Sequence, residues 1–100
     1  MTTTNTNNEG MAKKLYGTTI AIVTYGHVWV AKEVSFDGDY YYFTAARIIT
    51  QWGTQNGLNQ LINGPTKETV LSDIAPLTVI LPAALIGMIP CDDAKWAKHL

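Results

Sequence analysis

The side chains able to do covalent chemistry in this 100-residue chain are few and scattered. Cys91 is its only cysteine and is followed directly by Asp92 and Asp93. Two adjacent carboxylates raise a thiol pKa, which opposes the thiolate that a nucleophilic cysteine requires. A buried cysteine followed by a helix cap accounts for the same three residues. His27 falls in a hairpin turn and His99 near the C-terminus, while Ser35 and Ser72 are the only serines and neither sits in a nucleophile elbow. Cys91, Asp92, Asp93 and His99 have no paired metal-ligand spacing. Asp37-Gly38-Asp39 lacks the further ligands of a calcium loop and reads as a tight turn. No glycine-rich phosphate loop opens a helix. The expectation is therefore no catalytic residue, no metal and no cofactor, in a protein that is not an enzyme.

Binding chemistry has more to stand on. Arg47, followed by Trp52, Thr54, Gln55 and Asn56, combines a guanidinium fork with an indole and adjustable amides at the start of a long loop. Such a face could capture a small anionic ligand or a partner protein. The alternative is an internal brace, with Arg47 tying down loop carbonyls and Trp52 closing an open barrel end. A second cluster, Tyr40, Tyr41, Tyr42 and Phe43 with Trp29 on a neighbouring strand, could stack bases, but that needs a basic groove. The net charge is −1, and Lys32 and Arg47 are too few to make one. Self-association fits these aromatics better, because interfaces concentrate Tyr and Trp and shed charge. A homo-oligomer is expected, with no nucleic-acid partner.

The elements that must hold these groups read as strands. Thr18–Tyr25 is rich in β-branched residues, and Gly26 turns the chain into His27–Phe36. In this second run Val28, Val30, Val34 and Phe36 share one face, Lys32 interrupts it, and Trp29, Glu33 and Ser35 share the other. After the Asp37-Gly38-Asp39 turn, Tyr40–Ile49 carries apolar groups on both sides, as a central strand does, or one that meets a partner. Gln51–Pro76 is a long excursion holding one short helix, in which Leu58, Leu61 and Ile62 share a face and Gly64-Pro65 forms the stop. Leu77–Leu81 and Leu85–Ile89 read as buried strands. Asp92-Asp93 caps a short last helix over Ala94–Leu100.

Hydrophobic residues make up 47% of the chain and charged residues only 15%, too apolar for a disordered tail and enough for one modest core. From Ile74 to Cys91 only Thr78 is polar, the minimum length for a membrane span, yet Pro76, Pro82, Gly87 and Pro90 break that run. Two strands joined at Pro82 explain it, so no membrane association is expected. Residues 1–14 read as a flexible polar N-terminal arm and 15–100 as a single domain. The predicted fold is mainly β, a small five-stranded antiparallel barrel with a short helix in its long loop and another at its C-terminus.

The strand order is similar to that of Sm-like and SH3-like small barrels. An Sm-like protein would carry its RNA-binding Asp-x-Asn loop at Asp39–Tyr41, where this sequence has no Asn. A longer resemblance rests on Ala46-Arg47-Ile48-Ile49-Thr50-Gln51-Trp52-Gly53, then Gly57-Leu58, Asn63-Gly64-Pro65-Thr66 and Ile89-Pro90-Cys91-Asp92. These strings resemble an uncharacterised family of short phage and prophage proteins. What the resemblance implies is phage origin and small size, with no chemistry attached. The resulting expectation is a phage-encoded accessory protein that works by binding in the host cytoplasm, plausibly to blunt a host defence. The alternative is a virion structural component, such as a head-decoration or minor capsid protein.

Overall fold

The computed structural model describes residues 12–100. The polar segment Met1–Gly10 lies outside the described residues, but Lys13 and Lys14, assigned above to the arm, belong to the sheet. They open strand β1 (Lys13–Tyr16) and pair with Phe36 and Ser35.

Eight strand segments are present where the sequence suggested five strands: β1, β2 (Thr19–Val23), β3 (Val28–Ala31), β4 (Glu33–Phe36), β5 (Tyr41–Gln51), β6 (Val70–Leu71), β7 (Ala75–Ile80) and β8 (Leu85–Pro90). They form one antiparallel, barrel-like sheet that is nearly closed. The order β1-β4-β5-β3-β2-β8 runs along it, with β6 and β7 on the other side of β5. Breaks in long runs account for the extra segments. Gly17-Thr18 separates β1 from β2, and Lys32 separates β3 from β4.

Lys32 and Ala45 mark one bend. Lys32 N–H donates to the Thr44 carbonyl at 2.9 Å, and Ala45, next in the chain, has φ +49°, a left-handed conformation rarely adopted by residues with a side chain. The pairing of β5 with β4 stops at Thr44 and its pairing with β3 begins at Arg47. An extra residue at such a bulge reverses which side chains face inward. This overrides the simple alternation expected of His27–Phe36: Val28 and Val30 join one apolar cluster, whereas Ala31 and Val34 join another.

The two clusters lie on opposite faces of the sheet. Ala21, Ala31, Val34, Phe43 and Ala46 form the inner one, with Trp29, Tyr41, Ile80, Leu85 and Met88 packed against it. Ile20, Val28, Val30 and Ile49 form the other with Leu61 and Trp96, which come from outside the sheet. Leu61 lies in a 3₁₀ segment, Leu58–Asn63, where the short loop helix was expected. Trp96 lies in the single-turn helix α1 (Asp93–Trp96). Asp92 caps α1 by accepting from Ala94 N–H and Lys95 N–H, which satisfies donors the helix leaves free. The apolar character of both sides of β5 is thus explained inside the protomer: one side faces the barrel and the other is covered by the loop and α1.

Candidate functional site

Arg47 and the loop that follows it do not form one site. The bulge at Ala45 puts Arg47 on the face it shares with its cross-strand partner Val30, beneath the C-terminal segment. There Nε donates to the Ser72 carbonyl at 2.7 Å and Nη1 to the His99 carbonyl at 2.9 Å. A guanidinium spanning two backbone carbonyls from distant segments is a brace, and both bonds are charge-assisted. Five residues of extended chain separate it from Trp52, about 16 Å at the usual rise. The face joining Arg47 to Trp52 therefore does not assemble.

Trp52 does not close the barrel either. It is 42% exposed, while Trp96 is fully buried and its indole N–H donates to the Leu61 carbonyl at 2.8 Å. Sequence reading missed Trp96; the available signal was its spacing with Leu100, four residues on, which sets two apolar groups on one face of a helical turn. His99 meets the Trp96 ring edge-on, with centroids 6.0 Å apart.

Residues 52–57 are held by their backbone. Gln60 Oε1 accepts from both Gln55 N–H and Asn56 N–H at 3.1 Å. The Thr69 hydroxyl donates to the Trp52 carbonyl and the Thr66 hydroxyl to the Gly53 carbonyl, each at 2.6 Å. Gly53, with φ +67°, allows this crossing: a Cβ there would lie 2.4 Å from the backbone of Glu68 and Thr69. The side chains of Gln55 and Asn56 remain exposed, beside a half-buried Thr54. The outcome is a fixed loop presenting an indole and two amides.

The aromatic cluster divides between the two faces. Phe43 is fully buried, and Trp29 and Tyr41, both half-buried, pack against the inner cluster. Tyr41 also stacks on Phe36 at 4.5 Å between ring centroids. Tyr40 is exposed, and Tyr42 donates its hydroxyl to Asp37 Oδ2. Asp37 accepts in addition from Asp39 N–H and Tyr40 N–H, each at 2.8 Å, which builds the hairpin turn. The Tyr42 hydroxyl, with those two amides, holds the Asp37 carboxyl below its ordinary range, and the same bond pushes the Tyr42 phenol up.

Burial raises the Cys91 thiol to about 11, with the Asp93 charge adding to the effect, so the thiolate is scarce at neutral pH. Cys91 Sγ donates to the Ile89 carbonyl. Asp93 accepts Thr18 N–H at 2.6 Å, and this bond lowers its carboxyl pKa. Gly17 is needed beneath it, since a Cβ there would lie 2.5 Å from Asp93 Oδ1. Among the described residues no group of three His, Cys, Asp or Glu side chains could hold a metal. No described helix is long and apolar enough to cross a membrane.

One cavity of about 320 Å³ opens between β1, β4 and α1, and none of the residues singled out above as binding candidates lines it. Lys14, Lys32, Glu33 and Asp93 supply its charges, and Trp96 and Leu100 supply apolar wall. Lys14 Nζ lies 4.0 Å from Glu33 Oε1. Two cations and two carboxylates balance, so the cavity offers an anion no net attraction. Set against family models, curated proteins and solved structures, the chain finds no match.

Proposed function

We propose that this is a non-enzymatic, phage-encoded accessory protein that works as a homo-oligomer in the host cytoplasm, capturing a host protein through the loop carrying Trp52, Thr54, Gln55 and Asn56. The observation that carries this reading is Trp52, exposed on a loop whose backbone is already fixed by Gln60, Thr66 and Thr69. A rigid aromatic anchor loses little conformational entropy on docking, and tryptophan is prominent among interface hot spots. A protein partner fits better than a small anion, because Arg47 spends two donors on backbone carbonyls and the cavity is charge-balanced.

The scaffold is taken to be a five-stranded barrel of Sm-like or SH3-like order. In this grouping β1 with β2 and β3 with β4 each count as one bent strand, and the two-residue β6 is not counted. Native mass spectrometry of protein purified from its host tests the function. Wild-type protein should carry an additional protein mass that Trp52→Ala loses. A bound mass kept by both, or absent from both, removes the loop from function. The outer edge of β7, which no strand pairs with among the described residues, favours a second reading, a virion component, for which assemblies made only of this chain would be the evidence.

A further inference from the structure

Strand β7 hydrogen-bonds to β5 on one side only, and among the described residues no strand pairs with its outer edge. Proteins guard such edges with charge, most often lysine, or with bulges and short strands. Here no charged residue occurs from Ile74 to Cys91. The side chains flanking the edge are aliphatic and more than half exposed: Leu77 at 58%, Val79 at 52% and Leu81 at 58%. Leu81 continues the extended backbone beyond the strand, with φ −69° and ψ 138°.

The order of residues around this edge selects an occupant. Pro76-Leu77-Thr78-Val79-Ile80-Leu81-Pro82 reads nearly the same from either end, with Val79 at its centre. Antiparallel pairing of two identical strands about a two-fold axis at Val79 sets Val79 against its own copy. It also sets Leu77 against Leu81, Thr78 against Ile80 and Pro76 against Pro82. All three exposed aliphatic residues then meet aliphatic residues on one face, since side chains two apart share a face. The prolines, which have no N–H to donate, close the paired segment at both ends. Six such side chains with the strand backbone offer on the order of 1,000 Å² of total buried surface, the lower end for a specific interface. Two-fold pairing is also the commonest oligomer geometry.

We infer that the protein dimerises by antiparallel pairing of β7 with β7 of a second copy, centred on Val79, joining two sheets into one. This rests on the homo-oligomer part of the reading above and places its interface on the outer edge of β7, the strand whose inner edge pairs with Tyr41–Phe43 of β5. Light scattering after gel filtration should give twice the 11.0 kDa chain mass for wild type, and the chain mass for Val79→Lys up to about 100 µM. The Val79→Lys melting temperature should stay within a few degrees, because the side chain points to solvent. In a Cys91→Ala background, Val79→Cys should form a disulfide-linked dimer on mild oxidation, since directly opposed Cβ atoms lie about 4.5–5.5 Å apart. Ile86→Cys, more exposed at 65% but on β8, should not. An oligomer that survives Val79→Lys and gives no Val79 cross-link overturns this interface while leaving the homo-oligomer reading in place. A wild-type monomer at about 100 µM overturns both.

Discussion

The two regions that carry Trp52 and Trp96 use the same residue type in opposite ways. Trp96 ends the short helix α1 and Trp52 precedes the 3₁₀ segment Leu58–Asn63, and each is tied to the long excursion between β5 and β7. At Trp96 the side chain is the fastener: the indole fills the outer cluster and bonds the Leu61 carbonyl. At Trp52 the backbone is the fastened part, with its carbonyl held by Thr69, and the side chain reaches solvent. An indole that stabilises the fold cannot also be offered to a partner, so the contrast separates what holds this protein together from what it can present.

The sharpest break of that contrast is Trp96→Ala. Removing a fully buried indole costs about 3–5 kcal/mol, against a total stability of about 5–15 kcal/mol. At roughly 4–8 °C per kcal/mol for a chain of this length, the melting temperature should fall by more than about 12 °C. A fall of a few degrees would mean that the cover over the outer cluster is dispensable. Arg47→Ala comes next. It deletes two charge-assisted bonds from a part-buried side chain, about 1–3 kcal/mol after allowing for water reaching the carbonyls. Arg47→Lys should recover little, because an ammonium cannot fork onto two separated carbonyls. An unchanged melting temperature in Arg47→Ala would return Arg47 to the list of ligand groups.

What could be read from the sequence follows from how local the cause is. Tight turns, β-branched runs and the Asp92 cap act over a few residues, and strands, turns and the start of α1 fall close to where those signals lie. Alternation also separates Tyr41 and Phe43, which lie toward the inner cluster, from Tyr40 and Tyr42 on the other side. What was not legible depends on one residue, Ala45, whose unfavourable backbone conformation reverses the side-chain facing in the second half of β5. No propensity marks an alanine for that role. The shift carries Arg47 to the covered face, away from Trp52, and the partner of Trp96 is a carbonyl 35 positions away. Long-range closure of this kind leaves no pattern within a window of sequence.

A smaller effect tests the hold of α1 on the sheet. The bond from Thr18 N–H lowers the Asp93 carboxyl below its ordinary value of 3.8. A carboxyl that titrates lower folded than unfolded contributes stability present above the unfolded pKa and lost as pH falls through the folded one. Asp93→Asn should therefore melt slightly below wild type at neutral pH, with the difference shrinking as pH drops below about 4. The Asp37 carboxyl, lowered in the same way, is common to both proteins and cancels in the comparison. A difference constant from about pH 2 to 7 would show that the charge on Asp93 is not what secures the helix.

The stability effect of Trp52→Ala should be far smaller than that of Trp96→Ala, and that gap is the point. Its residue is 42% exposed, so part of the indole is covered, but the bonds that fix the loop come from Gln60, Thr66 and Thr69, which the substitution leaves in place. Truncating a half-covered side chain costs about 1 kcal/mol, or roughly 4–8 °C in melting temperature. Loss of a bound partner with no larger loss of stability would therefore isolate recognition from folding, the separation that Trp96→Ala cannot provide. A Trp52→Ala protein that melts more than about 10 °C lower would show instead that the indole is structural, and the two tryptophans would then differ in exposure but not in role.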